Sequence, residues 1–229
     1  NTLSVTVSES LLPVLPEVLA RIKNLFDLYC EPKAVYETLQ VMNTLQPGLC
    51  VLGTRLPGCF NVFEMSVRAV LGQQITVKAA STLAARLVAV YGTQVQTGIE
   101  GLTHSFPAPA AILALGENIS EHLGKLGIIS ARANTIYQLA RVLADEKNDF
   151  GFCGNPEEEM QKLQAIRGIG SWTAQYIAMR AMGWPDAFLP TDAGIKKALP
   201  DHTPKELQVL SEAWRPWRSY ATVNLWNTL

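Results

Sequence analysis

The most informative stretch of the chain is a tight turn between two helical patterns, and it reads LQAIRGIGSWTA over residues 163–174. Gly168 and Gly170 tolerate backbone conformations that other residues avoid, and they leave no side chain to keep a ligand away. The amides of Gly168, Gly170 and Thr173 fall at or near the first turn of the second helix, where unpaired N–H groups bind phosphate. The pattern predicts a phosphate-binding helical hairpin at about 163–183.

Two alternatives bear on this turn. A dinucleotide-binding loop would follow a strand and carry a third glycine, whereas here a helical pattern precedes the turn and Thr173 takes the third position. Both features count against such a loop. The turn also fits a simple connection between two helices, with Ile169 filling the hairpin core and no ligand bound. The spacing alone leaves that second alternative open.

The remainder of the chain is predicted to be mostly helical. Residues 1–9 alternate between apolar and polar side chains, with Leu3, Val5 and Val7 on one side, which predicts a strand. A lone strand is unstable, so either its partners lie upstream and are missing, or it pairs elsewhere. From Pro13 onward, apolar residues recur at helical spacing. The predicted fold is mostly α, with a β remnant at 1–9 and a helical domain at 10–229.

Composition excludes several classes of protein. The 229 residues are 48% hydrophobic and 17% charged, which is incompatible with a disordered chain. No apolar run approaches the roughly 20 residues that a membrane span needs, so we expect no membrane association and a cytoplasmic location. The cysteines form no CxxC pair, so free thiols are expected rather than a metal cluster or a disulfide framework. They are Cys30, Cys50, Cys59 and Cys153.

The net charge of −1 would, taken alone, rank nucleic-acid binding low. The charge is unevenly distributed, however, because residues 161–229 carry eight basic and five acidic side chains, a net charge of +3, and the other 160 residues carry −4. A chain with so few cations would hold phosphate chiefly through backbone amides. We therefore expect a shallow salt dependence for any DNA binding.

The hairpin at 163–174, followed by FLPTD at 188–192, resembles the helix–hairpin–helix and Gly/Pro-Asp signature of base-excision DNA glycosylases, the HhH-GPD superfamily. Within that superfamily the chain most resembles AlkA-type 3-methyladenine-DNA glycosylase II. The segments LPGC at 56–59, RAVLGQ at 68–73 and WRPWRSY at 214–220 extend the match to nearly the whole chain. The resemblance implies a two-lobed helical HhH-GPD glycosylase fold, and it makes residues 1–9 the last strand of the family's N-terminal β domain.

Asp192 is the candidate catalytic residue. Cleavage of an N-glycosidic bond passes through a cationic sugar, and a positively charged alkylated purine already leaves readily, so one carboxylate suffices to stabilise the cation or orient water. Asp192 precedes a helical run, and this position at a helix N-terminus favours its ionised form. By position alone, Asp192 could equally be only a helix cap, with Thr191 competing for that role. The resemblance assigns the catalytic aspartate to this position.

Trp172 occupies the position at which bifunctional relatives carry a lysine that forms a Schiff base with the sugar. The resemblance therefore implies a monofunctional glycosylase, with no strand cleavage. It also places Trp172, Tyr176 and Trp226 around a slot for the flipped base. Stacking and cation–π attraction would hold a cationic purine there, at about 1–2 kcal/mol per ring. For each aromatic residue taken singly, core packing is the alternative.

Two further roles follow from the resemblance. Gln73 and Gln74 lie at a break between helices and are candidates for the wedge that fills the gap left by the flipped base, although the family pattern has an apolar residue at Gln74. A plain polar turn is the alternative. The resemblance also implies a structural Na⁺ or K⁺ ion in the hairpin that bridges to phosphate. Its expected ligands are the backbone carbonyls of Gln164, Ile166 and Ile169.

The sequence as a whole thus predicts a monofunctional DNA glycosylase of base excision repair that flips out alkylated purines of the 3-methyladenine and 7-methylguanine type. No cofactor is expected for catalysis. The expected partner is double-stranded DNA with alkylated bases, the expected state is a monomer, and the expected location is the bacterial cytoplasm, at the nucleoid when bound to DNA. A non-catalytic helix–hairpin–helix DNA-binding module is the main alternative. A bifunctional glycosylase/lyase is a third, which the missing lysine disfavours.

Overall fold

The computed structural model describes residues 2–144 and 155–229, and helices dominate both ranges. Short 3₁₀ helices lie at Glu9–Val14, Gln40–Thr44, Gly116–Asn118 and Ser211–Trp214. The α-helices are α1 (Leu15–Leu25), α2 (Pro32–Leu39), α3 (Val62–Leu71), α4 (Val77–Tyr91), α5 (Pro109–Leu113), α6 (Ile119–Gly124), α7 (Ser130–Leu143), α8 (Pro156–Gln164), α9 (Ser171–Arg180), α10 (Ala193–Ala198), α11 (Pro204–Leu210) and α12 (Arg218–Trp226).

The strand predicted at 1–9 is wrong for the residues that the structure describes. Residues 2–8 form no strand, and a 3₁₀ helix begins at Glu9. A strand needs a neighbour for its backbone N–H and C=O groups, and no described residue pairs with this segment, so Leu3 stays about half exposed. The described residues instead contain a two-residue antiparallel pair that the sequence did not reveal, β1 (Thr93–Gln94) and β2 (His104–Ser105).

Side-chain caps explain several helix starts. Asn61 accepts a hydrogen bond from the Glu64 amide and begins α3, and Thr76 caps α4 in the same way. Asn155 accepts from the amide of Glu157 at 3.0 Å, as its position before an acidic first turn predicts. Each cap satisfies an N–H group that the helix itself leaves unpaired.

Two apolar cores divide the helical part into two lobes. The first core is built mainly by α3 to α9 and includes Phe63 and Val67 of α3, with α3 packed against α4, α7 and α9. The second core joins α2 to the last three helices and centres on the fully buried Trp214. Tyr176 and Trp184 pack against both cores. The helical hairpin of α8 and α9 therefore ends at the junction of the lobes.

The start of α12 fixes the segment that leads to Asp192. Arg218 is 6% exposed and forms a bidentate ion pair with Asp186, with N···O distances of 2.8 and 2.9 Å. The Ser219 hydroxyl donates to the carbonyl of Trp184 at 2.7 Å. A planar guanidinium that meets both carboxylate oxygens has little freedom to rotate. Segment 184–188 and α12 are therefore held together as one unit.

The expectations from composition about cysteines, metal ligands and membrane spans can be compared with the structure. Cys30 and Cys50 are free, and burial raises the pKa of both thiols, which keeps them protonated and unreactive. Cys153 lies outside the described residues. Among residues 2–144 and 155–229, no cluster of three or more His, Cys, Asp or Glu side chains is arranged to hold a metal ion. No helix in these ranges has the length and apolar character of a membrane span.

Candidate active site

The Asp192 carboxylate is 9% exposed and accepts four N–H groups. Its Oδ1 atom accepts the amides of Gly194 (2.8 Å) and Ile195 (3.1 Å), so Asp192 is the N-cap of α10, as one reading of the sequence predicted. The Trp226 indole also donates to Oδ1, at 2.8 Å, and the Trp172 indole donates to Oδ2 at 3.0 Å. Capping and a chemical role are compatible, because Oδ1 accepts three of the four bonds and Oδ2 accepts one.

The structure brings the three predicted slot residues together around this carboxylate. Trp172 and Tyr176 stack with ring centroids 5.2 Å apart and an interplanar angle of 8°, and Tyr176 meets Trp226 at 6.3 Å with a tilt of 49°. Each of the three is partly exposed. A base cannot enter between Trp172 and Tyr176, since they already stack on one another. Any bound base must lie against an outer face of this cluster.

Gly194 is a site residue that sequence reasoning missed. A Cβ atom at Gly194 would lie 2.7 Å from Cδ1 and 2.9 Å from Nε1 of Trp226, and 3.0 Å from Oδ1 of Asp192. At distances this short a side chain would displace the Trp226 ring, so glycine permits that ring to reach the carboxylate. The position of this glycine, two residues after Asp192, could have marked it as a site residue. Its contact with Trp226, 32 positions later in the chain, could not be predicted from the sequence.

The hairpin turn joins α8 to α9 as predicted, and Ile169 is buried in the first core. Gly168 has φ +96° and Gly170 is the N-cap of α9. Within the described residues, the amides of Gly168, Gly170 and Thr173 donate no hydrogen bond to protein acceptors. Gly168 and Gly170 are exposed, whereas Thr173 is 3% exposed. Two of the three predicted phosphate-binding residues therefore face solvent with an available donor.

Gly168→Ala is expected to lower the free energy of unfolding by at least about 2 kcal/mol, measured by urea denaturation. The left-handed backbone disfavours a Cβ atom, and that atom would clash with the Thr135 hydroxyl, which hydrogen bonds to the Arg167 carbonyl. The control is Gly170→Ala, where no atom lies within 4 Å of the added Cβ and only the cap preference is lost, at about 1 kcal/mol or less. Equal costs at the two positions would contradict this explanation.

The two wedge candidates, Gln73 and Gln74, lie in different surroundings, and the wedge role stays a prediction. Its side-chain amide donates to the carbonyl of Gly168 and to the Thr173 hydroxyl, both at 2.9 Å, and its own carbonyl accepts from Arg132. These bonds hold the Gln73 side chain against the hairpin, where it braces the turn. Gln74 is different, because it is exposed and adopts φ +54° at the turn between α3 and α4.

The hairpin carbonyls suit a monovalent cation. Within the described residues, the carbonyls of Gln164 and Ile169 accept no backbone hydrogen bond, and that of Ile166 accepts one, from Ile169 at 3.0 Å. Carbonyl oxygens with free lone pairs at an exposed turn are suitable ligands for a hard cation. The donor set is therefore compatible with the expected ion.

The fold and the site define a class of protein. A helical hairpin with available turn amides lies beside one buried carboxylate held by aromatic N–H donors, which suits binding of a phosphate backbone next to an N-glycosidic reaction centre. The HhH-GPD superfamily base excision DNA repair model matches residues 67–218, and the AlkA N-terminal domain model matches residues 1–61. The chain belongs to the HhH-GPD superfamily of base excision repair glycosylases.

Similar proteins refine this assignment. The chain is 38% identical over 228 residues to DNA-3-methyladenine glycosylase 2 of Escherichia coli, covering 100% of this chain and 77% of that protein. It is 40% identical over 216 residues to a probable bifunctional transcriptional activator/DNA repair enzyme AlkA of Mycobacterium tuberculosis, covering 92% of this chain but 42% of that protein. Within the superfamily, the chain therefore falls in the AlkA-type branch. The domain boundary after Glu9 stays a prediction.

A solved structure agrees on the fold. The 3-methyladenine DNA-glycosylase from Archaeoglobus fulgidus superposes with a TM-score of 0.78 at 22% sequence identity, covering 96% of this chain and 76% of that one. At this identity the likeness concerns the fold. It confirms the predicted two-lobed helical HhH-GPD architecture.

Proposed function

We propose that this protein is a monofunctional glycosylase that hydrolyses the N-glycosidic bond of alkylated purines, of the 3-methyladenine and 7-methylguanine type, in double-stranded DNA. The observation that carries the proposal is the buried carboxylate of Asp192, held by two indole N–H groups. The name of the E. coli relative, DNA-3-methyladenine glycosylase 2, supports the same class of substrate.

The proposed reaction uses a fixed carboxylate next to a developing cation. The two indoles and two backbone amides hold Asp192 in one orientation, so it does not reorganise as the sugar becomes positive. Oδ2 accepts only the Trp172 bond from the described residues, so its remaining lone pairs are available to the sugar or to the attacking water. The alkylated purine leaves without a general acid because it is already cationic.

Binding in this proposal divides between the hairpin and the aromatic cluster. The amides at Gly168 and Gly170 hold a phosphate, with a monovalent cation on the carbonyls of Gln164, Ile166 and Ile169 beside them. The flipped base stacks on the cluster of Trp172, Tyr176 and Trp226, and Gln74 fills the space it leaves. The enzyme acts as a monomer, needs no cofactor for catalysis, and works in the cytoplasm at the nucleoid.

The absence of strand cleavage can be tested directly. Trp172 takes the position at which the bifunctional relatives carry their lysine, and its indole N–H donates to Asp192. Lys196 and Lys197 are exposed on α10. We therefore expect no lysine to form a Schiff base with the sugar. Methylated DNA should give free base and should break only after alkali, and borohydride should trap no protein–DNA adduct. A bifunctional glycosylase on its own substrate is the positive control. A trapped adduct would contradict the monofunctional assignment.

The experiment for the proposal as a whole is release of free base from duplex DNA treated with a methylating agent. Free 3-methyladenine released in single-turnover conditions supports it. The alternative, a non-catalytic helix–hairpin–helix module, predicts binding to the same DNA with no base released from any damaged duplex.

A further inference from the structure

We propose that a basic groove formed by α4 and α7 binds the phosphates of the DNA strand opposite the flipped base. This inference rests on the proposed function, because it assumes that the lesion strand lies on the hairpin. The groove is open and is lined by Thr76, Lys78, Thr82, Arg86, Gly127 and Arg132, together with three apolar side chains. No Asp or Glu lines it.

The groove contains cations that lack acidic partners. Residues 65–99 and 122–144 carry no Asp or Glu at all. Of the six Lys and Arg residues in these segments, Arg68 and Lys125 pair with glutamates on neighbouring turns. Lys78, Arg86 and Arg132 have no carboxylate partner within the described residues. Three unpaired cations without a neighbouring acid attract an extended polyanion.

Two of these cations are held in place by the backbone. Arg86 donates to the carbonyl of Leu126 at 3.1 Å, and Arg132 donates to the carbonyl of Gln73. Lys78 is exposed and has no such bond among the described residues. Two guanidiniums held by backbone carbonyls and one exposed ammonium make a prearranged phosphate surface, since each guanidinium keeps N–H donors that these bonds do not use.

The groove is continuous with the hairpin surface. Gln73 connects the two, because its side chain holds Gly168 and Thr173 while its carbonyl holds Arg132. Gln74 is exposed at their junction, and the groove begins at the next residues, 75 and 76. A duplex with one strand on the hairpin amides and Gln74 in the vacated stack must carry its other strand past Gln74, toward the groove.

The first experiment measures the salt dependence of binding to a duplex that contains a stable abasic-site analogue. The slope of log Kd against log salt should fall by about 0.9 for Lys78→Gln and by about 1.8 for Lys78→Gln/Arg86→Gln. Lys78→Gln is the safer variant for folding, because the Lys78 side chain makes no hydrogen bond or ion pair with the described residues. Lys23→Gln/Lys33→Gln removes the same charge from α1 and α2 and should leave the slope unchanged. An unchanged slope in the groove variants, or an equal loss in the control, would overturn the proposal.

The second experiment identifies the strand. Neutral methylphosphonates are placed either in the strand opposite the abasic analogue or in the strand that contains it. The wild type should lose affinity for both duplexes, whereas Lys78→Gln/Arg86→Gln should become insensitive only to changes in the opposite strand. Insensitivity confined to the lesion strand, or undiminished sensitivity to both, would refute the assignment.

Failure of this inference is distinguishable from failure of the proposed function. Both experiments measure binding to DNA that already lacks a base, so neither depends on base release. If the groove variants show the predicted slopes but the protein releases no base, the groove inference is supported and the glycosylase proposal is contradicted. If the protein releases base but the slopes are unchanged, the glycosylase proposal is supported and the groove inference is contradicted.

Discussion

Asp192→Asn is expected to lower the single-turnover rate of base release by at least about 10³-fold while leaving binding to abasic-analogue DNA within a few-fold of the wild type. The change removes the negative charge that faces the developing sugar cation, which is the largest electrostatic contribution available at this site. The asparagine oxygen can still cap α10, so the helix should remain in place.

The hydrogen bonds around Asp192 also predict that Asp192→Asn lowers the free energy of unfolding. With its oxygen on the amides of Gly194 and Ile195, the introduced asparagine would direct its NH₂ group toward the Trp172 indole N–H, and two donors cannot bond each other. The free energy of unfolding should therefore fall by about 1–3 kcal/mol. Asp201→Asn, on an exposed carboxylate, is the matched control and should change neither quantity. Release at the wild-type rate by Asp192→Asn would remove Asp192 from the mechanism.

Gly194→Ala is expected to reduce base release by about 10²-fold, because even a small displacement of the Trp226 ring moves one donor off the carboxylate and one wall off the aromatic cluster. The backbone can accept alanine, since Gly194 lies in the first turn of α10. The effect should thus appear in the rate and in tryptophan fluorescence more than in stability. Gly124→Ala, in α6 with open space around the added Cβ, is the matched control.

A double-mutant cycle tests whether Gly194 acts through Trp226. If the cost arises from the clash with the ring, Gly194→Ala should lower the rate far less in a Trp226→Ala background than in the wild type. An equal loss in both backgrounds would show that the added methyl group acts on Asp192 directly. In both cases, the Gly124→Ala control measures how much of the effect comes from helix propensity alone.

The hairpin and its neighbourhood were the most predictable part of this molecule. Local chemistry decides such features: Gly168 and Gly170 allow the turn, Asn155 supplies a cap, and an unpaired first-turn amide follows from any helix start. The strand predicted before Glu9 was wrong because a strand, unlike a turn or a cap, depends on residues outside the segment. An alternating pattern can be read from sequence, but whether a strand forms depends on a partner that no local pattern reveals.

The sequence by itself determined a helical chain, a glycine-containing turn between two helices and an aspartate at a helix start, because each depends on residues within about one turn of one another. Only the tertiary structure decided which donors reach that aspartate, since Trp172 and Trp226 lie 20 and 34 positions away from it. It likewise decided that the Gln73 side chain contacts the hairpin, and it joined cations of α4 and α7 into one groove. Packing of distant segments sets these contacts, and no periodicity along the chain encodes them.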